Sequence, residues 1–320
     1  MNLIYSRVFL KHKTLQHPEC PERLRYFGQH LKEARIESGE KYLNLVYSEE
    51  YIKKIKNASE NESYLDADTY TNRFSYGAAC FSAGAAVKAS QECGFSLGRP
   101  PGHHATASRA MGFCLFNNIA IASRKLVNEG KKVLIIDFDG HHGNGTQDIF
   151  YGTDKVLYLS AHQFPAYPGT GWVDEIGIKD GKGFTMNVPM PPYTGDDLFL
   201  SILSEYIPAI KEQFKPDIVA VSAGFDAHHS DPLLQLNLTA GAFHGIGKLL
   251  SKNFNNIFAC LEGGYNLDFL HKNIFSFVNG INNAENEFIE EKTKTDAIIK
   301  NEFEERIVEL RKSLKPYWKF

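Results

Sequence analysis

Cysteine is sparse in this chain and has no pattern. Cys20, Cys80, Cys93, Cys114 and Cys260 are scattered over 320 positions, and none belongs to a C-x-x-C pair. An odd, dispersed set argues against a disulfide framework and for a reducing compartment. No apolar run approaches the ~20 residues that a membrane span needs. "MNLIYSRVFLKHKTLQ" sets a short apolar stretch before its basic residues, the reverse of a secretory signal. Excess charge is lacking too: a net charge of −3 gives no electrostatic reason to expect nucleic acid or an anionic membrane as partner. Repeats, low-complexity tracts and Gly/Ser-rich linkers are absent. What remains is the expectation of a cytoplasmic globular protein, one domain over 1–320, with 43% hydrophobic residues to build its core.

Present instead are four short apolar runs: "KVLIID" (132–137), "KVLYLSA" (155–161), "DIVAVSAG" (217–224) and "NIFACLEGG" (256–264). They show little alternation, as strands buried on both faces do. Helical spacing fills the intervals, at 113–130, 196–214 and 239–254, and 76–90 is an Ala/Gly-rich helix suited to close packing. Strands alternating with helices predict an α/β fold, its mostly parallel sheet flanked by helices on both faces. The stretch 39–72 is polar, and "NASENESYLDADTYTN" within it predicts a surface loop. Residues 286–320, with Phe303, Ile307 and Leu310 at helical spacing, predict a C-terminal helical segment packed on the domain.

Three of the four runs end in polar clusters: "IDFDGHHGNG", "SAGFDAHHSDP" and "LEGGYN". Ligands of open parallel sheets sit outside the carboxyl ends of the strands, so Asp139, His141, Asp226 and Tyr265 are expected on one rim. A further loop, "RPPGHHATASRAMGFC", adds His103 and His104. Close carboxylates repel unless a cation joins them. Asp139 and His141 share a face at a strand end, and Asp226 completes three ligands with a fourth position open, the pattern of a catalytic zinc site. Fe(II) fits the same donors.

"HPECPERL", "RPPGHHA…GFCLFNN", "IDFDGHHGNGTQ", "SAGFDAHHSDPL" and "EGGYN", in order from His17 to Asn266, resemble the zinc-dependent histone deacetylase and acetylpolyamine amidohydrolase superfamily, its class II and prokaryotic members most. The resemblance implies a single arginase-like domain. It implies zinc on Asp139, His141 and Asp226, with His103 and His104 beside the attacking water. Asp137 would orient His103 and Asn144 would orient His104; an amide raises imidazole basicity less than a carboxylate, so the two histidines should differ in pKa. Tyr265 would face the substrate carbonyl. Gly112, Phe113 and Tyr167 match an aromatic tunnel for a linear chain. Leu233 stands where polyamine deacetylases can carry a carboxylate. Asp68, with Asp66 competing for the alignment, matches a substrate-binding rim residue, and Arg23 a product exit. Asp137, Asp139, His141 and Ser160 resemble a K+ or Na+ site, and Phe150, Thr153 and Val156 a second. Gly140 replaces a commonly larger residue, which predicts a looser metal loop. His228 and His229 stand where small residues are common, and read as solvated or structural.

The expected activity is therefore zinc-dependent hydrolysis of short acyl groups, acetyl above all, from lysine side chains. Deacetylation of acetylpolyamines is the alternative, and a non-catalytic acyl-lysine binding module would be free to lose His103, His104 and Tyr265. Two-manganese ureohydrolysis lacks a second metal-bearing strand here. Partners are an acylated lysine protein or peptide, or an acetylated polyamine. Nothing in the sequence sets an oligomeric state.

Overall fold

All four apolar runs form strands in the computed structural model, which describes residues 1–320. In chain order the strands are β1 (Leu3–Ile4), β2 (Phe95–Ser96), β3 (Val133–Asp137), β4 (Val156–Gln163), β5 (Thr185–Met190), β6 (Ile218–Ala223) and β7 (Ile257–Leu261). They make one sheet in the order β1-β2-β7-β6-β3-β4-β5, with every neighbouring pair parallel. β3, β6 and β7 are buried along their whole length, which is why their sequences do not alternate.

The helices are α1 (Arg25–His30), α2 (Glu49–Glu60), α3 (Ser75–Glu92), α4 (Asn118–Asn128), α5 (Asn144–Phe150), α6 (Asp196–Phe214), α7 (Ala240–Asn253), α8 (Leu270–Ile281) and α9 (Ala297–Leu314). None is long and apolar enough to cross a membrane. Several expectations shift. The helix expected from residue 113 starts only at Asn118, where Asn117 caps it by accepting from Ala120 N. Its forerunner, with Gly112 and Phe113 at positive φ, is loop. α2, capped by Ser48, runs as far as Glu60, so the loop expected from Asn57 begins after it. The C-terminal segment is helical only from Ala297; residues 286–296 form an irregular strap.

β3 lies at the switch point of the sheet. From it the chain runs outward through β4 and β5, then returns to place β6 and β7 on its other side. Register pairs Asp137 with Ser222 of β6 and Ser160 of β4, and Ser160 in turn with Asn187 of β5. A polar row thus crosses the carboxyl end of an otherwise apolar sheet, beneath the crevice where doubly wound folds bind ligands.

Candidate active site

β3 ends in Asp137, and the chain carries Asp139 and His141 just beyond it; β6 delivers Asp226 to the same place. These three residues each present one donor atom within 4.8 Å of the others. His141 Nδ1 lies 2.7 Å from Asp226 Oδ2 and 3.4 Å from Asp139 Oδ1. Donors about 2.0–2.1 Å from a tetrahedral ion stand about 3.4 Å apart, so these edges suit one small dication. Backbone amides hold the carboxylates: Gly263 N donates to Asp139 Oδ2, and Gly140 N to Asp226 Oδ1, each at 2.7 Å. A Cβ on Gly224 would overlap Asp139, and one on Gly263 would overlap Asp226, so backbone closeness makes the cradle. Gly140 does not loosen the loop as expected, because Leu234 and Asp226 already occupy the space of a Cβ there.

The charges fit the same conclusion. Burial opposes ionisation of both acids. At Asp139 the neighbouring His103 and His141 outweigh it and lower the pKa, whereas at Asp226 burial and the Asp139 charge raise it. Burial also disfavours a charged His141, but Asp226 and Asp139 push its pKa up to about 10. The cluster retains a proton where a cation belongs.

Beside it, His103 and His104 stack with ring centroids 4.0 Å apart. His103 Nδ1 meets Asp137 Oδ2 at 3.2 Å, and His104 Nδ1 meets Asn144 Oδ1 at 2.9 Å. An amide oxygen only accepts, so His104 carries its proton on Nδ1 and its lone pair on Nε2. The two imidazoles diverge. Against burial, Asp139, Asp137 and Glu262 push His103 up to about 10; burial, with the His103 and His141 charges, takes His104 well below the usual range.

A cavity of about 550 Å³ opens onto His104, His141 and Tyr265. Gly112, Phe113, Tyr167, Leu233, Asp66 and Asp68 line it as well, so the structure gathers the expected tunnel and rim residues. Tyr167 is 45% exposed and meets His104 edge-on at 5.1 Å; Phe113 meets Tyr265 edge-on at 5.9 Å. Burial raises the Tyr265 pKa well above 10, keeping its hydroxyl a donor at neutral pH. Asp66 and Asp68 separate: Asp66 Oδ1 is used up accepting Asp68 N and Thr69 N, while exposed Asp68 has no such duty. Arg23 is buried behind Tyr265, its guanidinium 5.0 Å from the ring, and donates to Gly264 O and Glu262 O. Ser160 Oγ lies 2.9 Å from His162 Nδ1, one strand over from Asp137. Phe150, Thr153 and Val156 flank the turn between α5 and β4, where Thr153 N donates to Phe150 O.

Four further residues serve the site without having been singled out. Glu262 Oε2 accepts from Gly102 N at 2.7 Å and His103 N at 3.1 Å, fixing the histidine loop. Asp231 Oδ2 accepts Tyr265 N at 2.6 Å. Tyr158 donates to Asp137 Oδ2 at 3.0 Å. Arg109 is exposed and lines the cavity. The first two had a visible trace, an acid embedded in "LEGGYN" and "SDP".

The histone deacetylase domain matches residues 17–281. The chain is 37% identical to a probable deacetylase of Archaeoglobus fulgidus over 83% of this chain and 81% of that one. It is 42% identical to a probable deacetylase of Methanothermobacter thermautotrophicus over 76% of each. Among solved structures, the HDA15 HD domain superposes with a TM-score of 0.90 at 30% identity, covering 99% of this chain and 94% of that one.

Proposed function

From a chain that belongs to the histone deacetylase family, we infer a zinc-dependent hydrolase that removes acetyl or another short acyl group from lysine side chains. The observation that carries this is the convergence on one cavity of the Asp139–His141–Asp226 cradle, a neutral His104 and a protonated Tyr265. Asp139, His141 and Asp226 would hold zinc, or Fe2+ in the cell, which would supply Lewis acidity to a carbonyl and make a water more acidic. His104 Nε2 takes the water's proton and returns it to the departing amine. His103, held by Asp137, acts through electrostatics on the negative charge that grows at the reacting centre. Tyr265 donates to the carbonyl oxygen as its charge grows. Phe113 and Tyr167 guide the linear side chain, and Asp68 accepts from the substrate backbone at the mouth. Behind Tyr265, Arg23 is assigned to the exit of the released acid. We assign a structural K+ or Na+ to Asp137, Asp139, His141 and Ser160, and a second to Phe150, Thr153 and Val156. The five free cysteines suit a reducing, cytoplasmic setting.

Lysine is favoured over a polyamine because the mouth carries Leu233, 37% exposed, and cationic Arg109, neither of which welcomes a second ammonium. Asp66 and Asp68 favour the polyamine instead. Initial rates on acetyl-lysine peptides and acetylputrescine, measured with metal-defined enzyme, decide between them. The lysine reading requires the higher kcat/KM on peptide, and a preference for acetylputrescine reverses it.

A further inference from the structure

His228 and His229 follow Asp226 closely, yet neither lines the cavity. They turn to Glu290, in the strap between α8 and α9. His228 Nε2 lies 3.2 Å from Glu290 Oε2, and His229 Nε2 lies 3.0 Å from Glu290 Oε1. The three donor atoms fall within 4.8 Å of one another. These separations are close to the donor–donor edge of about 3.4 Å around a tetrahedral dication with 2.0–2.1 Å bonds.

The surroundings are those of a supported site. Ser230 holds His228 Nδ1 from two sides, its Oγ at 2.7 Å and its backbone N–H donating at 3.3 Å, and Asn266 Nδ2 donates to the same Oγ at 3.0 Å; Oγ is the acceptor that takes the Nδ1 proton when Nε2 binds an ion. Such an outer partner is what fixes a ligating imidazole. Ala240 N, at the start of α7, donates to Glu290 Oε2 at 2.7 Å and orients the carboxylate. Phe269 packs 4.8 Å from the His228 ring. His228 is buried, whereas His229 is 39% exposed on its side chain, which leaves an open side for water.

We propose that His228, His229 and Glu290 form a second metal site, taking a borderline divalent transition ion such as zinc. Two imidazoles and one carboxylate suit zinc, cobalt or nickel better than calcium or magnesium. The ion ties the strap to the loop 226–231, which contributes Asp226 to the first cradle and Asp231 to the Tyr265 backbone. It therefore braces the catalytic loop from outside the cavity.

The test is a metal count. Full-length protein is stripped with chelator, dialysed against excess zinc chloride and then against metal-free buffer, and its zinc is measured by mass spectrometry. The expected count is two ions per chain for the parent, and one for each of His229→Ala, Glu290→Gln and His141→Ala. The last variant removes a ligand of the first cradle, so it keeps the two sites distinguishable. A parent that binds one ion, or a second ion that survives both His229→Ala and Glu290→Gln, overturns the proposal. Circular dichroism confirms that the compared variants are folded.

Discussion

A phenol buried at the end of a cavity has one chemical use that a phenyl ring cannot imitate. Tyr265 shares its cavity with His141, and its hydroxyl remains protonated at neutral pH. Tyr265→Phe should retain its zinc, because the residue is no ligand, while kcat falls ~10²–10³-fold, the usual cost of one lost oxyanion donor. Near-parental kcat with full metal would remove that role. Asn144 sets the other half of the chemistry. Asn144→Asp puts a carboxylate 2.9 Å from His104 Nδ1 and raises the imidazole's pKa. A general base must be unprotonated, so the acid limb of the kcat/KM–pH profile should move to higher pH; an unmoved limb would separate His104 from base catalysis. Asp139, His141 and Tyr265 were legible because they end buried strands, where an acid, an imidazole or a phenol needs a reason. Glu262 and Asp231 left only the trace of an acid inside a motif, since they act on backbone amides, and no residue type at the receiving end marks them.

At the scale of the element, legibility followed burial. The runs that became β3, β4, β6 and β7 read correctly because both faces are covered. β5 escaped notice, for Pro189 interrupts a short run and proline is tolerated only where a strand has a free edge. β1 and β2, two residues each, are too short for any period. The α9 helix closes the β5 edge. Buried Arg306 donates to Pro189 O at 3.2 Å and Phe164 O at 2.8 Å, and its guanidinium lies 5.5 Å from the Trp172 ring. Arg306→Ala strands both carbonyls, at about 1–3 kcal/mol each. The urea midpoint should drop with the m-value unchanged; an unaltered midpoint would mean that α9 is held by its apolar face alone.

For the molecule as a whole, one source of acid sensitivity is a buried ion cluster behind the cavity. Glu19 is fully buried against Arg99 and Arg23, with His12 alongside. Burial, opposed in part by Glu19, takes His12 from 6.5 down to about 4. The unfolded chain therefore binds that proton first, and stability drains away as pH falls from 6.5 towards 4. Glu19 moves from 4.5 to about 2: burial opposes its charge, but the Arg99 guanidinium prevails. Its contribution is complete above 4.5 and vanishes as pH drops through 2. His12→Asn should flatten the stability curve between pH 6.5 and 4 by about 3 kcal/mol relative to the parent. Parallel curves from urea titrations across that range would show that His12 titrates freely.

The order in which the cradle's donors appear along the chain bears on how the protein is made. His141 precedes Asp226 by 85 residues. A ribosome adding about 5–20 residues per second leaves the earlier pair waiting several seconds for its third partner. Until then a nascent chain offers only a weak, two-pronged grip. On the proposed zinc reading, metal loading belongs to the finished fold, and a translation product cut short before β6 carries two of the cradle's three donors.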